Sequence, residues 1–224
     1  HLEYVEKSVR DRRSTAYQHL DDTTFEMVVF CLTRCATAFH SPDTEPSRIR
    51  GFYADIDLTG HVTPMNAYTG SPKMSEAVRA QIKEQLALGT LVRASGQYAS
   101  AVFCVDKPGK PLARLVCDYR RINAKTKRYV GPSPNLWGTL RQVAGSQWIS
   151  VVDLFSGFND LLLTERGREA LGIVSEDGLF HWTALPYGPK NGPQIFQATM
   201  MRILGTTGRW GCRRVFIDDI SIFT

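Results

Sequence analysis

The chain has 224 residues, a formal net charge of +5 and five cysteines. This length can bury a substantial core, as one domain or as two lobes. No apolar stretch is long enough to span a bilayer and no signal peptide is visible, so we expect no membrane insertion. The odd number of scattered cysteines indicates reduced thiols, and we expect an intracellular, cytoplasmic protein. The small basic excess permits a nucleic-acid partner without identifying one.

Residues 1 to 55 contain no motif that we can place, and they are predicted to form an N-terminal helical and linker segment. Asp21 or Asp22 can cap a helix that begins at Thr23 and runs to about Ala38. The apolar residues of this helix share one side and should face a core; they are Phe25, Val28, Val29 and Leu32.

Two cysteines of this segment raise the question of a metal site. Cys31 and Cys35 lie one helical turn apart, and His40 follows them. No second cysteine pair accompanies them, as a zinc site of this kind would require. We therefore expect both thiols to be buried in ordinary helix packing.

A second helix is predicted between a start signal at Ser71-Pro72 and a stop signal at Gly89. Its apolar stripe has a spacing of four residues and consists of Val78, Ile82 and Leu86. From Leu91 to Val116 the pattern changes to strands around a loop at residues 106–111.

A further strand is predicted from Ile149 to Asp153, followed by a turn. An aspartate at the end of an apolar strand can be a metal ligand. Taken alone, Asp153 is more typical of a residue that only caps the strand or starts the turn.

The most informative segment is the apolar run from Val215 to Phe223, which contains Asp218 and Asp219 in its middle. It predicts two short strands with the carboxylates at the tip of a hairpin. Adjacent buried carboxylates repel each other, and without a cation at least one should have a raised pKa. A divalent metal would remove the conflict, and hard oxygen ligands favour Mg²⁺ and phosphoryl transfer.

Four segments of the chain form a recognisable set: RLVCDYRRIN at 114–123, VDLFSGF at 152–158, LPYGPKNGPQIFQ at 185–197 and FIDD at 216–219. Together they resemble the reverse transcriptase of gypsy-type LTR retrotransposons. They occur in the order and at the spacing of that family, and the resemblance covers about residues 56 to 224.

The resemblance implies an α+β fold with an antiparallel palm sheet and helices packed on one face of it. The fingers would comprise residues 56–127 and 161–186, and a truncated palm would comprise residues 128–160 and 187–224. We expect the thumb and the ribonuclease H domain to be absent, so that the chain is a fragment of a longer retrotransposon polyprotein. The implied function is RNA-directed DNA polymerase, a nucleotidyltransferase, although this fragment is not expected to be active alone.

The resemblance also assigns the site residues. Asp153, Asp218 and Asp219 would be catalytic and would bind two Mg²⁺ ions, or Mn²⁺ in their place. The implied nucleotide-binding residues are Arg114 at the triphosphate, Lys107 and Lys110 as further phosphate contacts, Phe158 under the sugar, and Tyr187 and Gly188 against the base. For the two lysines, a solvated turn is an open alternative.

The implied partners are an RNA or DNA template with its primer, deoxynucleoside triphosphates, the thumb and ribonuclease H parts of the polyprotein, and other protein chains of a larger assembly. The chain departs from the family pattern at Pro189, at Asn159-Asp160 and at residues 168–173. These departures keep open a second function, that of an exapted, non-catalytic subunit of a protein assembly. A third, RNA-directed RNA polymerase, is disfavoured by Phe158 and by the form of the Asp218 hairpin.

Overall fold

The computed structural model describes residues 1–41, 47–105, 114–132, 135–205 and 213–224. The chain divides into two compact units, His1–Pro46 and Ser47–Thr224. None of the helices formed by the described residues has the length and apolar character needed to cross a membrane.

The first unit is a pair of helices, α1 (Leu2–Arg10) and α2 (Asp22–Arg34), followed by a short 3₁₀ turn at Ala36–Ala38. Asp21 begins α2 as predicted, because its carboxylate accepts a hydrogen bond from the backbone N–H of Thr24 at 2.9 Å. The unit has its own small core, formed by Val5, Val9, Phe25, Val29 and Ala36.

The expectation that Cys31 and Cys35 are buried was wrong, because both are exposed. The buried face of α2 is set by Phe25 and Val29, one turn apart. Cys31 follows Val29 by two residues, about 200° around the helix, and so points to the opposite side. Cys35 lies where the helix has already ended.

The second unit contains five helices and ten strands within the residues that the structure describes. The helices are α3 (Pro72–Ala87), α4 (Arg120–Lys125), α5 (Leu136–Val143), α6 (Glu165–Ala170) and α7 (Gly192–Gly205). The strands are β1 (Tyr53–Ala54), β2 (Leu91–Arg93), β3 (Ser100–Val105), β4 (Arg114–Cys117), β5 (Ile149–Asp153), β6 (Leu162–Leu163), β7 (Ile173–Ser175), β8 (Gly178–Trp182), β9 (Arg213–Phe216) and β10 (Asp219–Phe223).

The strands form three sheets, two of which matter for the site. One has five strands in the order β2-β8-β7-β3-β4, and the other has three strands in the order β5-β10-β9. The three-stranded sheet is antiparallel throughout, as expected for the palm. A small parallel pair of β1 and β6 completes the unit.

Helix α3 confirms the predicted start and stop signals. The Ser71 hydroxyl accepts a hydrogen bond from the backbone N–H of Met74, and Gly89 adopts a φ of +65° just after the helix. Val78 and Ile82 are buried, so the predicted stripe faces the core. This stripe and the five-stranded sheet belong to one large hydrophobic core.

Strand β5 lies at the edge of the three-stranded sheet, and all five of its residues are exposed. Val151, for example, has 62% of its surface accessible. Strands β9 and β10, in contrast, contribute Val215 and Ile220 to the large core. The division of this unit into fingers and palm at the residues given above stays a prediction.

Candidate active site

The two aspartates of the apolar run lie at the tip of a hairpin, as predicted. Strands β9 and β10 are joined by a two-residue turn, Ile217-Asp218, with Phe216 paired to Asp219. Ile217 has a φ of 59°, in the left-handed region that a β-branched residue rarely adopts. The turn therefore holds a strained residue immediately before Asp218.

Strand β5 brings Asp153 to the same end of the sheet. Asp153 lies directly opposite Asp219 in the ladder between β5 and β10. Beyond this pair, the backbone N–H of Leu154 donates to the carbonyl of Asp218 at 3.0 Å. The structure thus brings the three aspartates together from segments that are far apart in the sequence.

The expectation that the paired aspartates are buried was wrong. Asp153 and Asp219 are exposed and Asp218 is half-buried. The reason is their position, since all three lie where strands end and the sheet meets solvent. Their mutual repulsion is consequently weaker than burial would have made it.

The pKa of Asp219 is nevertheless raised, first by desolvation and then by the charges of Asp218 and Asp153. The sequence predicted a raised pKa from like charges alone, so desolvation is an additional and larger cause. Within the described parts of the chain, no three His, Cys, Asp or Glu side chains are grouped so that they could by themselves hold a metal ion.

Tyr187 connects the aspartates to the predicted nucleotide-binding residues. Desolvation raises the pKa of its hydroxyl, the charges of Asp218 and Asp153 raise it further, and Arg114 opposes them. The ring of Tyr187 lies 5.1 Å from that of Phe158, centroid to centroid. The exposed side chain of Tyr187 is therefore close enough to the aspartates and to Arg114 for both to affect the pKa of its hydroxyl.

A cleft of about 130 Å³ lies beside Tyr187. Arg114, the exposed first residue of β4, contributes to its wall. The other lining residues are Gln81, Gln85, Leu115, Cys117, Asn159, Trp182, Pro186 and Tyr187. The site therefore lies beside a cleft whose wall includes the exposed residue Arg114.

Phe158 lies in a 3₁₀ turn at Gly157–Asp160 and is only 7% exposed. Its ring stacks on Phe196 of α7 with centroids 4.8 Å apart and an angle of 15° between the planes. The side chain thus belongs to the core while its edge adjoins Tyr187. Its role under a nucleotide sugar stays a prediction.

Glycine suits position 188 because of its backbone conformation and its close approach to Tyr119. Its φ is +114°, and a Cβ at this position would lie 3.1 Å from Cδ2 of Tyr119. Its carbonyl accepts a hydrogen bond from the side-chain amide of Asn123 at 3.0 Å. The segment after Tyr187 is therefore held against the chain near α4. Lys107 and Lys110 lie outside the described residues.

Sequence reasoning missed Gln197, which lies on α7 and is buried. Its Oε1 accepts a hydrogen bond from the backbone N–H of Ile217 at 2.7 Å. Its Nε2 donates to the carbonyl of Val215 at 2.9 Å. The sequence signal that could have identified it is a glutamine among the core residues Ile195, Phe196 and Met200, because a buried amide must have hydrogen-bond partners.

A second missed cluster surrounds Asp118, next to β4. Its carboxylate accepts hydrogen bonds from Arg120 at 2.6 Å and from the hydroxyl of Tyr68 at 2.6 Å. The Arg120 guanidinium holds the pKa of Asp118 well below its ordinary value, with a smaller contribution from Tyr68. This cluster fixes the start of α4 and, through it, the contact from Asn123 to Gly188.

The antiparallel sheet with the aspartates at its strand end belongs to a fold that known proteins share, and the sequence places the chain in a family. Residues 105–224 match the model of the reverse transcriptase (RNA-dependent DNA polymerase) family. The chain therefore belongs to the reverse transcriptase family, and the resemblance to gypsy-type retrotransposons is confirmed.

Several relatives are polyproteins of viruses and retrotransposons. The chain is 32% identical over 160 residues to the enzymatic polyprotein of Figwort mosaic virus, an alignment of 69% of this chain and 23% of that protein. It is 29% identical over 163 residues to the Pol polyprotein of transposon gypsy from Drosophila melanogaster, an alignment of 70% of this chain and 16% of that protein. The chain thus spans less than a quarter of each of these relatives.

Solved structures of foamy viral protease-reverse transcriptase share the fold. The complex with double-stranded DNA aligns with a TM-score of 0.83 at 20% identity, over 98% of this chain and 45% of that chain. The complex with an RNA/DNA hybrid aligns with a TM-score of 0.82 at 20% identity, over 100% of this chain and 29% of that chain. The matches confirm the predicted α+β fold, and they favour a reverse transcriptase fragment over a non-catalytic structural subunit.

Proposed function

We propose that this chain contributes the nucleotide-adding site of an RNA-directed DNA polymerase encoded within a retrotransposon polyprotein. The observation that carries the proposal is the pairing of Asp153 with Asp219 across the ladder, with Asp218 in the adjoining turn. Asp153 and Asp219 come from distant segments and lie opposite each other at one solvent-facing sheet end, and Asp218 adjoins them in the turn. Structural packing gives no reason for such an arrangement, since like charges repel there.

Reverse transcriptases generally use divalent metal ions, and the residues present here fit Mg²⁺. Mg²⁺ is commonly bound by one or two carboxylates together with substrate phosphates rather than by a complete protein cage. The exposed oxygens of Asp153 and Asp219, with Asp218 beside them, provide that kind of incomplete site. Two such ions, when bound, lower the pKa of a primer 3′-hydroxyl and stabilise the pyrophosphate that leaves.

The other side chains position the nucleotide. Arg114 suits the triphosphate because its planar guanidinium can donate to two phosphate oxygens at once. The rings of Phe158 and Tyr187 lie 5.1 Å apart, and the sugar would rest against this pair. Gly188 allows the chain beside it to approach closely. Lys107 and Lys110 are further candidates for phosphate contacts.

The partners that this function requires are a template with its primer and deoxynucleoside triphosphates. Relatives with the same fold have been solved with double-stranded DNA and with an RNA/DNA hybrid. We propose that the thumb and ribonuclease H parts of a longer polyprotein act with this chain, and that other protein chains can cover the exposed strand β5.

The test is primer extension by a longer polyprotein chain that carries these residues. Asp218→Asn keeps the size of the side chain and removes its charge, so Mg²⁺-dependent extension should fall by about 10³-fold or more. Circular dichroism should show that the fold is retained.

The matched control is Asp177→Asn, in the turn between β7 and β8, where Asp177 makes an exposed ion pair with Arg79. Such a pair contributes little stability, and the control should extend primers like the unmodified chain. Full extension by Asp218→Asn would refute the proposed site.

A further inference from the structure

Gln197 holds the hairpin that contains Asp218, although it lies on a different element. Both polar atoms of its buried carboxamide are used, one by the N–H of Ile217 and one by the carbonyl of Val215. These two backbone groups flank Phe216, whose own partner in the ladder is Asp219. In an antiparallel ladder, neighbouring residues direct their backbone groups to alternate sides. Gln197 therefore hydrogen-bonds to the edge of β9 that faces away from β10.

The position that Gln197 holds is the strained one. Ile217 has a φ of 59°, and a β-branched residue keeps such a conformation only where its surroundings fix it. In a two-residue hairpin turn, the place of a residue with positive φ is normally taken by glycine. The 2.7 Å bond from the Ile217 N–H to Gln197 is therefore made at the point where the turn is most inclined to relax.

We propose that Gln197 is a positioning residue that fixes the Ile217-Asp218 turn and thereby the placement of the Asp218 carboxylate. It acts through the backbone and touches no reacting atom. This inference rests on the function proposed above and adds a residue of α7 to its machinery. Buried glutamine suits the task because one amide supplies an acceptor and a donor at once.

The first test measures the turn itself, without metal or nucleotide. Gln197→Met keeps the length of the side chain and removes both hydrogen bonds. Hydrogen exchange of the Ile217 amide, followed by mass spectrometry or NMR, should become about tenfold faster, the loss that one hydrogen bond represents. The matched control is Gln194→Met, one turn earlier on the same helix, whose buried Oε1 has no hydrogen-bond partner among the residues that the structure describes. The control should leave this exchange unchanged.

Gln197→Glu provides a second variant that separates the two bonds. Its ionised carboxylate can accept from the Ile217 N–H but faces the Val215 carbonyl with no proton to donate. When protonated, the same carboxyl can make both bonds again. After correction for intrinsic rates, protection of the Ile217 amide should therefore recover as the pH is lowered. A Gln197→Glu variant without this recovery, together with unchanged exchange in Gln197→Met, would overturn the inference.

The second test measures catalysis in a longer polyprotein chain that carries residues 1 to 224. A displaced Asp218 should lower kcat by about 10²-fold in Gln197→Met, because misplacement of about 1 Å is costly in an active site. The KM for deoxynucleotide should change little, since Gln197 is buried and is not among the residues proposed to bind the nucleotide.

The two proposals can fail separately. An unmodified chain that extends no primer would refute the proposed function, while faster Ile217 exchange in Gln197→Met would still support the role of Gln197 in the turn. An active chain whose kcat is unaffected by Gln197→Met would overturn the inference and leave the proposed function standing.

Discussion

Replacing Phe158 by alanine should destabilise the second unit far more than its place beside a candidate nucleotide site suggests. The side chain is only 7% exposed and its ring stacks on Phe196 at 4.8 Å. Removing a buried phenylalanine costs about 3–5 kcal/mol through lost burial and the cavity that remains. Because the ring also adjoins Tyr187, we expect about 4 kcal/mol, in the middle of that range.

Equilibrium urea unfolding, followed by circular dichroism, measures this loss directly. In thermal unfolding, a loss of about 4 kcal/mol corresponds to a midpoint about 8 to 16 °C lower for a unit of this size. Phe155→Ala is the comparison variant, since Phe155 lies in the same turn segment and is 61% exposed. Its cost should stay below about 1 kcal/mol. Equal losses in the two variants, or a loss below about 1 kcal/mol for Phe158→Ala, would refute the packing argument.

Three further predictions concern selectivity, acid stability and binding. Phe158→Val preserves more of the core than alanine does, and in a primer-extension assay it should raise the use of ribonucleotides relative to deoxynucleotides by at least about tenfold; an unchanged ratio would make Phe158 a core residue only. Because Arg120 lowers the folded-state pKa of Asp118, the ionised carboxylate stabilises the fold above about pH 4, and this contribution is lost as the pH falls through the folded-state value. Asp118→Asn should therefore flatten the acid limb of a stability–pH curve, and an identical limb in both proteins would contradict the ion pair. Duplex binding by residues 1 to 224 should be weak and should fall steeply with salt, by about 0.9 in log K per log salt for each phosphate contact; tight binding that is insensitive to salt would contradict it.

The strand and helix signals in the sequence were reliable where a local cause was sufficient. The Ser71-Pro72 start and Gly89 stop predicted α3, and the apolar run around Asp218 and Asp219 predicted the hairpin. In each case residues close together in the sequence determine the backbone, through a cap, a turn or an apolar alternation.

What the sequence could not predict depends on contacts between distant segments. The exposure of the aspartates follows from the position of the strand ends relative to solvent, which apolar composition alone misjudged. The hydrogen bonds from Gln197 to the hairpin depend on the packing of α7 against β9, and no local sequence pattern predicts that packing. The exposure of Cys31 could have been predicted from helical geometry, since Phe25 and Val29 define the buried face on the opposite side of the helix.

The exposure of Cys31 and Cys35 has a practical consequence for labelling. Burial raises the pKa of Cys117 to about 12 and also raises that of Cys104. Since the thiolate is the reactive form, maleimide dyes at neutral pH should attach to the exposed thiols of Cys31 and Cys35 and spare Cys104 and Cys117. A fluorophore placed there would report on the N-terminal unit while the cleft around Arg114 and Tyr187 stays chemically unmodified.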